Sequence, residues 1–233
     1  MRSTEHRLRT LFGGLAQAVL ASAAVAACSS TIDRGDFDAT YCTNGRYAPL
    51  EGLTPKVPVD YIESRVADAA TPTTIDASGQ KCKTAKDQQA CQSAVAAARS
   101  TATFTTGGQA AQRFFYVYTR GDEVGTIGDK AGLVGLLAPI DSPTEAALLA
   151  TLEGHQTVCP DDHLARKVSG GMEIVTRTGN GCPDDVRENR TFVADSGLIE
   201  VRESTLYRKG DSSCTVGRRP AGLALAAAEA ADE

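Results

Sequence analysis

The sequence predicts one α+β domain, mostly antiparallel sheet with two or three helices, braced by disulfides and preceded by a signal peptide and a short tether. Three observations predict it. Short apolar runs bounded by Gly, Pro, Asn and Asp alternate with two or three helical patterns, and this mixture is the α+β signature. Aromatic residues make up only 5% of the 233 residues and Trp is absent, so the core rests on Val, Leu, Ile and Ala, which bury less area per residue. Seven cysteines can supply the covalent bracing that such a core needs. There is no internal repeat.

Residues 29–40 are polar, with Asp33, Asp36 and Asp38, and read as a tether. Residues 41–60 hold Gly45, Pro49, Gly52, Pro55 and Pro58; these exclude a helix and predict an ordered loop fixed at Cys42. Val59 to Val66 reads as a short strand. Thr84 to Arg99 reads as a helix capped by Thr84, with Asp87 in the first turn and Gln88, Cys91, Val95 and Ala98 on one face. Arg113 to Thr119 is the strongest strand. Phe114, Phe115, Tyr116, Val117 and Tyr118 make both its faces apolar, as in a central strand. Arg120-Gly121-Asp122 then turns the chain into a hairpin partner, Glu123 to Ile127.

Leu133 to Leu137 reads as a short helix. The next helix opens on Ser142-Pro143-Thr144-Glu145. Ser142 caps it, Pro143 suits the first helical position, and Glu145 completes a capping box. Gly154 stops it. The last third is strand-rich. Met172 to Thr178 alternates, and Arg190 to Ala194 and Leu198 to Tyr207 flank the loop Asp195-Ser196-Gly197. In the second arm Ile199, Val201 and Tyr207 share a face with Glu203 and Thr205.

The N-terminus is an address. Arg2, Arg7 and Arg9 against Glu5 precede a short apolar stretch ending in small residues, the composition of a secretory signal peptide over 1–27. The stretch is shorter than the about 20 residues of a spanning helix, and no later segment is long and apolar enough to span. It closes on Val25-Ala26-Ala27-Cys28. This run resembles the lipobox of bacterial lipoproteins: an aliphatic residue, two small ones, then Cys. The resemblance implies cleavage before Cys28, acylation of Cys28, and a multi-chain lipid anchor that holds stably. Ser29 follows where no Asp stands, which by analogy with the enteric sorting rule favours the outer membrane. The competing reading is ordinary cleavage near Ala24-Val25-Ala26.

With Cys28 given to lipid, six cysteines remain: Cys42, Cys82, Cys91, Cys159, Cys182 and Cys214. An even set in an exported chain reads as disulfides, with fifteen possible pairings. Local pairing is favoured: Cys82–Cys91 and Cys159–Cys182, leaving Cys42–Cys214 to join the ends of the domain. Within one helix Cys82 and Cys91 would stand about 13 Å apart, too far for a disulfide, so Cys82 must fold back across the helix start. The domain then spans residues 41–216, after the lipidated N-terminus and tether of 28–40 and before an Ala-rich, helical tail of 217–233. Three of the 24 Lys+Arg and one of the 29 Asp+Glu lie in residues 1–27, which leaves a mature net charge of about −7. That balance excludes a nucleic-acid partner, which needs a basic patch.

Few residues suggest chemistry. Cys159-Pro160-Asp161-Asp162-His163 is the densest ligand-type cluster, and His155, Asp161 and His163 are the weak metal candidates; the competing reading is a solvated loop tied at Cys159. Ser78-Gly79-Gln80-Lys81 matches the S-x-x-K pattern of a serine nucleophile, but no partner motif follows it. Asn189-Arg190-Thr191 fits a glycosylation sequon, and Asp184-Asp185 reads as a turn. No cofactor motif is present and no cofactor is expected.

The run from Cys214 to Leu223, with Tyr118 to Val124 and the helix opening at Ser142, resembles the Cys-rich module that precedes a ferritin-like helical bundle in some bacterial secreted proteins. The resemblance covers most of residues 41–223. The chain departs from that family by ending at Glu233 without an E-x-x-H motif, so no iron chemistry is implied here. The expected function is a membrane-anchored binding or structural module of the cell envelope rather than an enzyme. The alternatives are an accessory module of a ferritin-like protein and a hydrolase with an unrecognised site.

Overall fold

The computed structural model describes residues 32–67, 73–105, 112–159 and 163–213. Cys28, Asp161, Cys214 and the tail 217–233 lie outside these residues. Among the described residues the fold is α+β, with antiparallel sheets, three helices and disulfides. None of its described helices is long and apolar enough to cross a membrane.

Two short strands, β1 (Cys42–Thr43) and β2 (Arg46–Tyr47), form the first hairpin. Its turn is Asn44-Gly45, both at positive φ, the two-residue turn whose twist matches that of paired strands. β3 (Tyr61–Val66) and β4 (Thr74–Gly79) follow as an antiparallel pair. After α1 (Gln88–Ala97) come β5 (Phe104–Thr105), β6 (Arg113–Arg120) and β7 (Glu123–Ile127). These complete a five-stranded sheet in the order β4-β3-β6-β5, with β7 paired to β6 on the same side as β5. The expected central strand is β6, and the hairpin to β7 turns at Gly121-Asp122.

α2 (Lys130–Leu137) and α3 (Pro143–Leu152) lead to the second sheet. Ser142 caps α3 and both halves of the capping box form with Glu145. The second sheet runs β11-β10-β9-β8, with β8 Ala165–Val168, β9 Gly171–Thr178, β10 Val186–Ala194 and β11 Ile199–Arg208. α3 packs on β9 and β10.

The main core joins one face of each sheet to α2 and α3: Ile62, Phe114 and Tyr116 from the first, Met172, Ile174 and Val193 from the second, with Leu133, Leu137, Leu148 and Leu149 between. A smaller core lies on the opposite face of the first sheet, where Phe115 and Val117 of β6 meet Cys82, Cys91 and Val95 around α1. That is why both faces of β6 are apolar.

Four expectations are corrected. Residues 32–40 are not a tether. Ile32 and Phe37 are buried in the main core, and Ala39 bridges to Ala165 at the edge of β8. The acidic residues around them sit on the outside of a packed segment. Second, Cys42 pairs with Cys159, across 117 residues of sequence; this replaces both Cys42–Cys214 and Cys159–Cys182. The cause is Tyr41, whose hydroxyl donates to Val175 O at 2.7 Å and accepts from Val158 N at 2.9 Å. Those bonds hold the start of β1 beside residue 159. Cys182 is also disulfide-bonded, to a partner outside the described residues.

Third, α1 starts at Gln88 with Asp87 as its cap. Thr84 instead donates its hydroxyl and amide to Asp60. Cys82 lies in the turn before the helix at positive φ, its amide donating to Thr119 Oγ1. This fold-back brings it within disulfide distance of Cys91, Cα to Cα 6.0 Å. Fourth, Val201 and Glu203 do not share a face. Val201 pairs with Thr191 and Glu203 with the adjacent Arg190, because a bulge interrupts β11 between them, and one extra residue reverses the alternation.

The other face of the second sheet carries arginine–carboxylate pairs. Glu173 accepts from Arg166 and Arg202, Glu188 from Arg34 and Arg177, and Glu203 from Arg190. Arg202 also stacks on Phe192 and Arg177 on Tyr207. Asp36 also pairs with Arg166 and Glu200 lies near Arg202, so these five arginines face five carboxylates.

Candidate functional site

His155 is buried, and its Nδ1 lies 2.8 Å from Thr176 Oγ1, which in turn lies 2.9 Å from Thr191 Oγ1. Burial pushes the imidazole below its ordinary pKa, with Glu153 acting weakly against the shift. His163 Nδ1 donates instead to Phe37 O at 2.6 Å. The two histidines are thus committed to separate partners. Among the described residues no three His, Cys, Asp or Glu side chains are grouped closely enough to hold a metal ion.

The neutral His155 makes stability depend on pH. An unfolded histidine takes up its proton near pH 6.5, above the folded value, so stability falls as the pH drops below about 6.5. Thermal unfolding followed from pH 7.5 to 5 is expected to show this loss, and His155→Gln to flatten it. An unchanged slope in the variant would remove His155 from the account.

Ser78 and Lys81 do not act together. Ser78 pairs with Ile62, which faces the main core. Lys81 lies over the Tyr61 ring and 3.5 Å from Glu63, and Tyr61 and Glu63 alternate with Ile62 onto the opposite face. Asn189 is buried, donating to Thr178 Oγ1 and accepting from Ser204, so its amide is closed to glycosylation.

The structure assembles a site from other residues. A cleft of about 370 Å³ lies between the first sheet and α3, within the usual range for small-molecule sites. β6 supplies an aromatic floor in Phe114 and Tyr116, which meet edge to face with centroids 5.7 Å apart. Leu148, Thr151 and Leu152 of α3 form one wall, Tyr47 and Pro49 another, and Ser64, Ile75 and Asp76 of β3 and β4 the rim. The Tyr47 hydroxyl is buried and closes no hydrogen bond. Thr151, whose own hydroxyl donates to Ala147 O, stands beside it as an available acceptor but outside hydrogen-bond geometry. Burial pushes the phenols of Tyr47 and Tyr116 well above their ordinary values, and Asp76 adds to the shift at Tyr116. Both phenols are therefore neutral donors.

A second cleft, of about 380 Å³, is lined by Leu50, Leu53, Pro58 and Ser78 among others. Thr54 in it pairs with Glu145, and Asp60 with Thr84 and Gly121. Neither cleft is lined by His155 or His163. Sequence reasoning missed the first cleft because its lining comes from five separate segments. The local signal for Tyr47 was Asn44-Gly45, a hairpin turn that places the tyrosine on β2. Compared with known proteins, the chain matches no family model, no curated protein and no solved structure.

Proposed function

We propose that this chain is a lipid-anchored protein of the bacterial cell envelope, presenting one disulfide-braced α+β domain as a binding or interaction module. The observation that carries the reading is Val25-Ala26-Ala27-Cys28 after a basic start and a short apolar stretch. The disulfides at Cys42–Cys159 and Cys82–Cys91 support it, since such bonds persist in an oxidising compartment. So does the cysteine count, because one acylated thiol leaves six that can pair completely. Ser29 after Cys28 favours the outer membrane, with the domain facing the periplasm or the exterior. The matching of five arginines to five carboxylates on the second sheet's outer face fits a partner other than a polyanion.

The test is the intact mass of the protein extracted from the membrane fraction, with and without reductant. The expected chain begins at an acylated Cys28 and gains six hydrogens on reduction of its three disulfides. A mature chain that begins elsewhere, or that carries more than one free thiol before reduction, overturns the reading.

A further inference from the structure

We propose that the cleft between the first sheet and α3 binds a compact, uncharged, largely apolar small molecule carrying one hydrogen-bond acceptor, which the Tyr47 hydroxyl engages. The inference goes beyond membrane anchoring and does not depend on it.

Three features define the ligand. The first is shape and polarity. Phe114 and Tyr116, set edge to face, give an aromatic floor, and Leu148 and Leu152 give an aliphatic wall. Ile75, about half exposed at the rim, is an apolar side chain left to solvent beside this lining. A compact apolar body covers all of these.

The second feature is the orphaned donor. Leaving a buried hydroxyl without a partner is costly, and in a native protein such a group calls for an explanation. Tyr47 Oη is in that condition at the cleft wall. The second cleft provides the contrast, since Thr54, Asp60 and Tyr61 in its lining are satisfied within the protein. An acceptor arriving with a ligand would satisfy the Tyr47 hydroxyl where no protein group does. Its phenol, held neutral by burial, keeps the proton needed to donate.

The third feature is charge. Among the described residues Asp76 is the one ionisable carboxylate in the lining, and no Lys, Arg or His joins it. An anionic ligand would meet repulsion without a counter-charge, so the acceptor is a carbonyl or ether rather than a carboxylate.

The test uses 2-acetylnaphthalene and 2-ethylnaphthalene, which share a shape and differ in the carbonyl acceptor, titrated into the full protein with methyl chemical shifts as the readout. Both are expected to shift Ile75, Leu148 and Leu152, with the acetyl compound binding about fivefold more tightly, the worth of one neutral hydrogen bond. Tyr47→Phe keeps the ring and removes only the hydroxyl. It is expected to erase that preference while leaving the ethyl compound's affinity unchanged. No shift at the lining methyls up to millimolar probe, or a preference for the acetyl compound that survives Tyr47→Phe, overturns the proposal. Either result leaves the membrane-anchor reading standing, because that reading is decided by the mass of the mature chain.

Discussion

Replacing both Cys42 and Cys159 by alanine is expected to lower the unfolding free energy by about 5 kcal/mol. The bridge closes a segment of 117 residues, and in the chain-entropy model a loop of that length restricts the unfolded ensemble by about this amount. Total stabilities of single domains are about 5–15 kcal/mol, so the variant stands near the limit of folding. The matched comparison is the Cys82→Ala, Cys91→Ala pair, whose bridge spans nine residues and contributes only about 2.5 kcal/mol in the same model. Urea unfolding followed by circular dichroism measures both. Equal losses in the two variants would show that loop length does not set their size.

Glu63→Ala is expected to cost about 3–5 kcal/mol, the range for removing one partner of a buried ion pair. Glu63 is fully buried on the α1 side of the first sheet, beside Arg65, which is 3% exposed. It accepts from Arg65, from the Tyr61 hydroxyl at 2.8 Å and from the Thr74 hydroxyl at 2.7 Å. Arg65 reaches on to Val95 O at 2.7 Å, tying β3 to α1. Without the carboxylate the guanidinium is left charged and uncompensated in an apolar layer. Replacing both members, as Glu63→Leu with Arg65→Leu, is expected to recover most of the loss, since the apolar pair needs no counter-charge.

The same pair predicts an acid response. Desolvation acts to raise the Glu63 pKa, but the bonds from Thr74 and Tyr61 and the charge of Arg65 outweigh it, and the net direction is down. Glu173, between Arg166 and Arg202, is lowered for the same reason. A carboxylate depressed in the folded state contributes its full stability above its unfolded pKa and loses it as the pH falls through the folded value. That loss lies below about pH 4.5, apart from the His155 effect near neutrality.

Elements with a chemical start signal were legible in the sequence. Ser142, Pro143 and Glu145 define the entry of α3 without tertiary help, and the apolar block of β6 requires cover on both faces. The segment 32–40 was misread because its three aspartates dominate the composition, whereas Ile32 and Phe37, five residues apart, fit neither strand nor helix period. They reach the core only because the segment wraps the second sheet. β4 carries no clean alternation, being an edge strand with much of its length exposed. The long disulfide was hidden for a related reason. It depends on where Tyr41 finds Val175, which no local spacing encodes. The cleft is less legible still, since Tyr47, Tyr116 and Leu148 converge only after the first sheet and α3 have packed.

The burial of Ile32 also sets a height. Its amide is held to the Glu188 carboxylate of β10, so packed chain is in place by four residues after Cys28. Four extended peptide units span at most about 14 Å. An acyl group at Cys28 would therefore hold the domain directly against the bilayer surface, with the Glu188 end of the second sheet nearest the lipid. Such a protein could not search a volume at the end of a flexible leash. It would sample only partners or small molecules that come to the membrane plane.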